Sequence, residues 1–136
     1  MTFRFIGIDH VQLAAPPGCE EEARRFYGSI LGWPELRKPE SLQARGGVWF
    51  QCGSSQVHVG VQKEFRPAEK AHPGFAVDDL ASLRSNLIAS GVQALDDELR
   101  EEEGIRRLFA KDPFGNRLEF LEYVSKPWHS KEDESR

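Results

Sequence analysis

The chain has 136 residues, of which 39% are hydrophobic and 29% are charged, and its formal net charge is −4. This length predicts one domain, or two small modules that share a core, and the composition excludes disordered, collagen-like and simple coiled-coil chains. The negative charge argues against nucleic-acid binding. No apolar run approaches the roughly 20 residues of a membrane-spanning helix, and the N-terminus lacks a signal-peptide pattern.

Cys19 and Cys52 make neither a disulfide framework nor a zinc knuckle. Two ordinary thiols fit a reducing environment, so the sequence predicts a cytoplasmic protein.

The first half of the chain predicts a strand, a helix and then a run of strands. Residues 6–14 alternate in polarity as a half-buried strand does. Residues 20–31 carry an apolar stripe at helical spacing behind three glutamates, and Gly32 is the predicted C-cap. Residues 48–52 and 56–61 are predicted to form a hairpin.

The second half repeats this order. Residues 72–77 form a predicted strand, and Asp78 or Asp79 caps a helix that ends near residue 90. The apolar stripe predicted for this helix contains Leu80, Leu83, Leu87 and Ile88. The remaining elements are strands at 106–110 and 117–123, joined by a turn at 112–116.

The repeat predicts an α+β fold of two paired βαβββ modules, at about residues 6–62 and 72–124, which form one domain over residues 1–124. One strand in each module is poorly marked. The less regular segments are a strand near 35–42, a strand near 92–99, a charged linker at 62–71 and a polar tail at 125–136.

Three of the four histidines fall on predicted strands, on the face opposite the apolar residues. They are His10, His58 and His72, whereas His129 lies in the tail. Glu119 has the same relation to the apolar residues of the closing strand. These four strand residues are therefore candidates for one shared site.

The repeat relates these candidates in pairs. His10 and His72 lie near the start of the first strand of their modules, 62 residues apart, and His58 and Glu119 lie on the last strands, 61 residues apart. If the sheets curve around a shared cavity, all four side chains converge. Imidazoles and a carboxylate hold a divalent metal ion and leave positions open for substrate. The predicted cofactor is a divalent ion, and these ligands suit Zn, Fe, Ni, Co or Mn.

Four segments carry a family resemblance: residues 10–13 (HVQL), 26–33 (FYGSILGW), 72–80 (HPGFAVDDL) and 112–120 (DPFGNRLEF). Through them the chain resembles the vicinal oxygen chelate superfamily over residues 6–124. This superfamily includes glyoxalase I, fosfomycin-resistance proteins, extradiol dioxygenases, methylmalonyl-CoA epimerase and bleomycin-resistance proteins. The resemblance implies a curved, cavity-enclosing mixed sheet with helices on the outside.

The resemblance places the family's metal ligands on His10, His72 and Glu119, the set shared by fosfomycin-resistance proteins and extradiol dioxygenases. The fourth family position falls on His58. Glyoxalase I typically has a glutamate there and uses it in proton transfer, so this departure argues against a plain glyoxalase I.

The implied mechanism is chelation of two neighbouring substrate oxygens by a metal that acts as a Lewis acid and stabilises an enolate-like charge. The implied activity is a lyase, isomerase or thiol-transferase reaction on a small oxygen-rich substrate, with or without a thiol such as glutathione. Glu119 is the candidate to move a proton. Arg117 is a candidate for pairing with an anionic substrate group, and Gln12 and Gln56 are candidates for polar contacts.

Two alternatives stay open. One is a metal-free protein that sequesters a drug or metabolite, as bleomycin-resistance proteins do, although those typically lack this ligand set. The other is a small extradiol-type dioxygenase, although a bound His58 would crowd the positions that oxygen and substrate need.

Either Trp49 or Phe50 faces the pocket. The resemblance also implies a homodimer in which each site draws ligands from both chains.

Overall fold

The computed structural model describes residues 2–98 and 101–124, with only the backbone of Glu101. The chain divides into two compact units between Pro67 and Ala68. Each unit contains a four-stranded mixed sheet with a helix after its first strand. This confirms the predicted α+β class and the two βαβββ modules. The tail predicted at 125–136 lies outside the described residues.

The first unit contains β1 (His10–Ala15), α1 (Glu20–Ala23), β2 (Glu35–Leu36), α2 (Glu40–Gln43), β3 (Val48–Cys52) and β4 (Ser55–Val61). Helix α1 continues without a break as a π-helix, Arg24–Ile30, so the predicted helix is present but its second part is more widely wound. The strand order is β1-β4-β3-β2, with β1 parallel to β4 and the other pairs antiparallel.

Two predicted strands of this unit are shorter than expected. Strand β1 begins at His10 and not at residue 6, because its ladder with β4 begins where His10 lies opposite Gln56. The strand expected near 35–42 has only two residues, and the short helix α2 follows it. Alternating polarity in the sequence does not show where the neighbouring strand begins or ends. Both predicted strands are therefore longer than the observed ones.

One face of the first sheet packs against the helix and forms the core of this unit. Val48, Phe50, Val57 and Val59 are at most 1% exposed, and the ring of Phe50 lies 5.7 Å from that of Tyr27 in the π-helix. The helix ends at Ile30 and its C-cap is Leu31, one residue before the predicted Gly32. Gly32 follows with a φ of +77°, the left-handed conformation that glycine adopts readily just after a helix. The opposite face of the sheet is left to the polar and aromatic residues of the candidate site.

The second unit contains β5 (Gly74–Ala76), α3 (Leu80–Ala89), β6 (Leu95–Asp97), a 3-10 turn (Glu101–Glu103), β7 (Ile105–Lys111) and β8 (Arg117–Tyr123). The strand order is β5-β8-β7-β6, with β5 parallel to β8. Asp79 caps α3 by accepting a hydrogen bond from Ser82 N at 3.0 Å. Strand β5 is shorter than the strand predicted at residues 72–77. Its start is limited by Pro73, because proline has no N–H group to donate a hydrogen bond to a neighbouring strand.

The apolar stripe of α3 is narrower than predicted. Leu80 and Leu87 are buried, but Ile88 is 50% exposed, so its assignment to the stripe is wrong. Ile88 is turned about 100° from Leu87 around the helix, and this turns it away from the sheet.

The turn before β8 is held by a buried carboxylate. Asp112 Oδ1 accepts hydrogen bonds from Phe114 N at 2.9 Å and Asn116 N at 2.8 Å. Asp112 is only 5% exposed. These bonds fix the start of the strand that carries Glu119. None of the helices in the described ranges is long and apolar enough to cross a bilayer.

Candidate functional site

The sheet registers give the four predicted ligands matched places in the two units. His10 lies two positions before the β1 residue that pairs with His58. His72 lies two positions before the β5 residue that pairs with Glu119. Each unit therefore brings a histidine near the start of its first strand together with a second candidate on its last strand.

An aromatic residue accompanies each pair. Antiparallel pairing puts Trp49 of β3 beside His58 and Phe109 of β7 beside Glu119. This settles which aromatic residue of β3 lies on the site face: it is Trp49, because Phe50 points into the core and is fully buried.

In the first unit three rings are stacked. The centroid of His58 lies 4.3 Å from that of His10 and 3.8 Å from that of Trp49, with interplanar angles of 13° and 1°. His58 is 5% exposed. Burial lowers the pKa of His58, and the nearby His10 and Lys38 lower it further, while Asp9 opposes the shift. The structure therefore favours a neutral imidazole at the centre of the stack.

The hydrogen bonds leave a different nitrogen free on each histidine. His10 Nδ1 lies 2.9 Å from Asp9 Oδ1, and an ionised carboxylate only accepts, so a neutral His10 ring with this hydrogen bond has its lone pair on Nε2. His58 Nε2 lies 2.9 Å from Gln56 Oε1, so His58 keeps its lone pair on Nδ1. Because the rings are nearly parallel, a cation in the plane of one imidazole lies out of the plane of the other. This arrangement suits one metal ligand better than two.

In the second unit His72 and Glu119 contact each other directly. His72 Nε2 lies 3.0 Å from Glu119 Oε1, and His72 Nδ1 lies 2.8 Å from the carbonyl oxygen of Lys70. The carbonyl only accepts, so Nδ1 carries a proton and this bond orients the ring. The second nitrogen of a metal-bound histidine is commonly held in this way. The side chains of His72 and Glu119 are 25% and 9% exposed.

The contact between His72 and Glu119 requires a proton or a cation between the two atoms. With the proton of a neutral imidazole on Nδ1, both Nε2 and an ionised carboxylate present lone pairs, which repel each other at 3.0 Å. A proton on either of the two atoms relieves this repulsion, and so does a divalent cation held by both. Two ligand atoms about 2.1 Å from a cation, at an angle of about 90°, lie about 3 Å apart. The residues present therefore fit a divalent ion at this pair.

Arg107 borders this pair, although the sequence pattern alone does not mark it as a site residue. Its Nη2 lies 2.9 Å from Asp97 Oδ2 and its Nη1 lies 3.7 Å from Glu119 Oε1. Its buried Nε has no hydrogen-bond partner in the described part of the chain. Alternation along β7 could have shown that Arg107 shares a face with Phe109, but only the pairing of β7 with β8 brings it close to Glu119.

The remaining predicted residues lie on the same sheet faces as these pairs. The guanidinium of Arg117 lies 4.3 Å from the ring centroid of Phe109. Gln12 packs across Gly60, where an added Cβ would lie 2.7 Å from Gln12 Nε2. Gln56 orients His58. Substrate contacts of Arg117, Gln12 and Gln56 stay predictions.

Among residues 2–98 and 101–124, no three or more histidine, cysteine, aspartate or glutamate side chains form a group that could hold a metal ion. The structure instead shows one pair of candidate ligands within each unit. Binding of a single ion by His10, His58, His72 and Glu119 together stays a prediction.

Comparisons with known proteins agree with this architecture. A family model described as a glyoxalase-like domain matches residues 18–121. A solved structure of a glyoxalase family protein from Bacillus anthracis is 49% identical, with a TM-score of 0.86, and the match covers 90% of this chain and 99% of that chain. None of the curated proteins matches this chain.

Two more distant structures share the fold. Lactoylglutathione lyase from Agrobacterium tumefaciens is 20% identical, with a TM-score of 0.66, over 86% of this chain and 93% of that chain. A glyoxalase/dioxygenase from Nostoc punctiforme is 19% identical, with a TM-score of 0.70, over 87% and 91%. At these identities the similarity shows the fold alone.

Proposed function

The chain belongs to the glyoxalase-like domain family, and from this premise we propose that it is a divalent-metal-dependent enzyme of glyoxalase type. Its substrate is a small molecule with two neighbouring oxygens, and its reaction is a lyase, isomerase or thiol-transferase step. A bound divalent cation supplies Lewis acidity that stabilises negative charge on such oxygens.

The contact between His72 and Glu119 carries this proposal. Nδ1 of His72 is held by the Lys70 carbonyl, and Nε2 lies 3.0 Å from the carboxylate. The proposal needs this pair as metal ligands. Completion of the ligand set by His10 and His58 stays a prediction.

Other residues of the second unit support a role in binding and proton transfer. In this proposal, the carboxylate of Glu119 accepts a proton from the substrate and returns it, and the nearby guanidinium of Arg107 balances its charge. Arg117 stacks on Phe109 and lies on the same strand face as Glu119, which supports pairing with an anionic substrate group.

One observation favours a second function, the metal-free sequestration of a drug or metabolite. Arg107 already compensates the charge of Glu119 in part, and an imidazolium form of His72 would compensate the rest. In this case the His72–Glu119 pair is an ion pair that stabilises the fold. Metal content separates the two functions.

The test is metal analysis of the full chain purified without a tag. We expect one equivalent of a divalent metal per chain in the wild type. His72→Ala and Glu119→Ala should each lose it, whereas Glu69→Gln, at an exposed position of the same unit, should keep it. Full metal content in His72→Ala, or a wild type that takes up no divalent metal, would refute the proposal.

We also propose that the chain forms a homodimer whose interface includes residues 3–8. The large apolar residues of this segment are highly exposed: Phe3 64%, Phe5 91%, Ile6 95% and Ile8 72%. At roughly 150 Å² for each fully exposed side chain, two copies contribute about 1,000 Å², which is close to the minimum for a specific interface.

A further inference from the structure

The first unit contains a cavity of about 270 Å³ apart from the stacked histidines. It lies between the sheet face that carries Trp49 and the segment around α2. Its lining includes Lys38 and Arg45, and none of its described lining residues is acidic. The described lining therefore carries two positive charges and no negative one, although the chain as a whole has a net charge of −4.

The two cations differ in how they are held. The Nζ of half-buried Lys38 donates to the carbonyl oxygen of Gly46, which fixes the ammonium group beside the cavity and leaves two of its three N–H donors for other partners. Arg45 is exposed and adds a planar guanidinium. Glu20 lies close to this lining, because a Cβ on Gly46 would lie 3.1 Å from Glu20 Oε2, which accepts a hydrogen bond from Gly47 N at 2.7 Å. Two cations of the lining therefore face one nearby carboxylate.

The cavity adjoins the stacked rings of the candidate site. Trp49 lines the cavity and also stacks on His58 at 3.8 Å. Gln12 lines it as well and lies beside His58 in the sheet register. A molecule bound in the cavity would therefore extend toward the histidine stack.

We propose that this cavity binds the anionic end group, a carboxylate or a phosphate, of a small organic molecule. Arg45 offers the paired donors that suit such groups and Lys38 adds a point charge. The cavity is smaller than the roughly 300–1,000 Å³ of a complete ligand site, so it receives the end group and the rest of the molecule lies along Trp49. Binding of an anionic group in this cavity does not depend on the proposed function. The further step, that the bound molecule is the substrate of the enzyme, rests on the proposed function.

The test is calorimetric titration of the chelator-treated full chain with phenyl phosphate and with benzoate. We expect at least one of the two to bind. Lys38→Met and Arg45→Met should each weaken this binding about tenfold or more, whereas Arg25→Met, an exposed position outside the cavity, should leave it unchanged. Thermal melts confirm folding, and exposed Arg45 serves as the readout if Lys38→Met does not fold.

Four results would overturn the proposal: no binding of either probe, binding unchanged in both variants, equal binding of uncharged benzyl alcohol, or equal binding of inorganic phosphate, which would indicate an adventitious ion only. Two of the variants, Lys38→Met and His72→Ala, also distinguish this proposal from the proposed metal site. We expect Lys38→Met to keep the metal content of the wild type and His72→Ala to keep binding of the probe. Loss of probe binding in His72→Ala would contradict a separate cavity.

Discussion

Replacing Glu119 by glutamine removes the charge of a proposed metal ligand and keeps its size. The amide N–H can donate to His72 Nε2, which lies 3.0 Å from the present carboxylate oxygen. Two contacts of the carboxylate with described residues lose its charge: the 3.0 Å contact with His72, which the amide replaces by a neutral hydrogen bond, and the 3.7 Å contact with Arg107, which keeps its 2.9 Å contact with Asp97. We therefore expect the free energy of unfolding of the metal-free protein to change by about 1 kcal/mol or less.

The cost to metal binding is larger, because a neutral amide replaces a charged carboxylate ligand. We expect the affinity to fall about 100-fold. At a metal concentration of about 100 times the wild-type Kd, the wild type gains about 2.7 kcal/mol of stability, whereas Glu119→Gln gains only about 0.4 kcal/mol. For a chain of this size these gains correspond to Tm increases of roughly 10 °C and 1–2 °C.

Scanning calorimetry of the chelator-treated proteins, with and without added metal, measures both quantities. Glu69→Gln is the matched control and should show the full wild-type increase. An equal Tm increase in wild type and Glu119→Gln would refute the assignment of Glu119 as a ligand. A loss of several kcal/mol in the metal-free variant would instead show that the carboxylate is mainly structural.

Three further predictions concern the fold and its assembly. Leu87→Ala removes a fully buried side chain and should cost about 2–5 kcal/mol in urea unfolding, whereas Ile88→Ala should cost about 1 kcal/mol or less; equal losses would contradict the orientation of α3. The hydrogen bond from Gly47 N holds the pKa of Glu20 below its ordinary value. The ionised form of Glu20 therefore stabilises the fold at every pH above that ordinary pKa. This stabilisation is lost as the pH falls through the lowered pKa of the folded protein. Glu20→Gln should therefore be less stable at pH 7 and lose less stability on acidification, and an acid profile parallel to that of the wild type would count against this contact. Phe5→Glu should convert the dimer to a monomer in light scattering, and a monomeric wild type would contradict the proposed interface.

The long strands could be predicted because their polarity alternates and turn residues bound them. The predicted bounds of β3 and β8 agree with the structure. The ends of β1 and β5 could not be predicted from the sequence, because they depend on where the neighbouring strand begins. Strands β2 and β6 have two and three residues, too few to show any period.

The candidate site was predictable only in part, for the same reason. Alternation and the repeat were enough to put His58 and Glu119 on matched strand faces. The stacking of His58 on Trp49 and the approach of Arg107 to Glu119 depend on the register between neighbouring antiparallel strands. One sequence does not specify that register, so these neighbours became visible only in the structure.

The most direct test of the metal site is a crystal structure of the full chain grown with a divalent metal, with anomalous data collected at the absorption edge of that metal. We predict an anomalous peak about 2.0–2.2 Å from both His72 Nε2 and Glu119 Oε1. A difference map with no peak between these atoms, while they remain about 3 Å apart and metal is bound elsewhere, would contradict it.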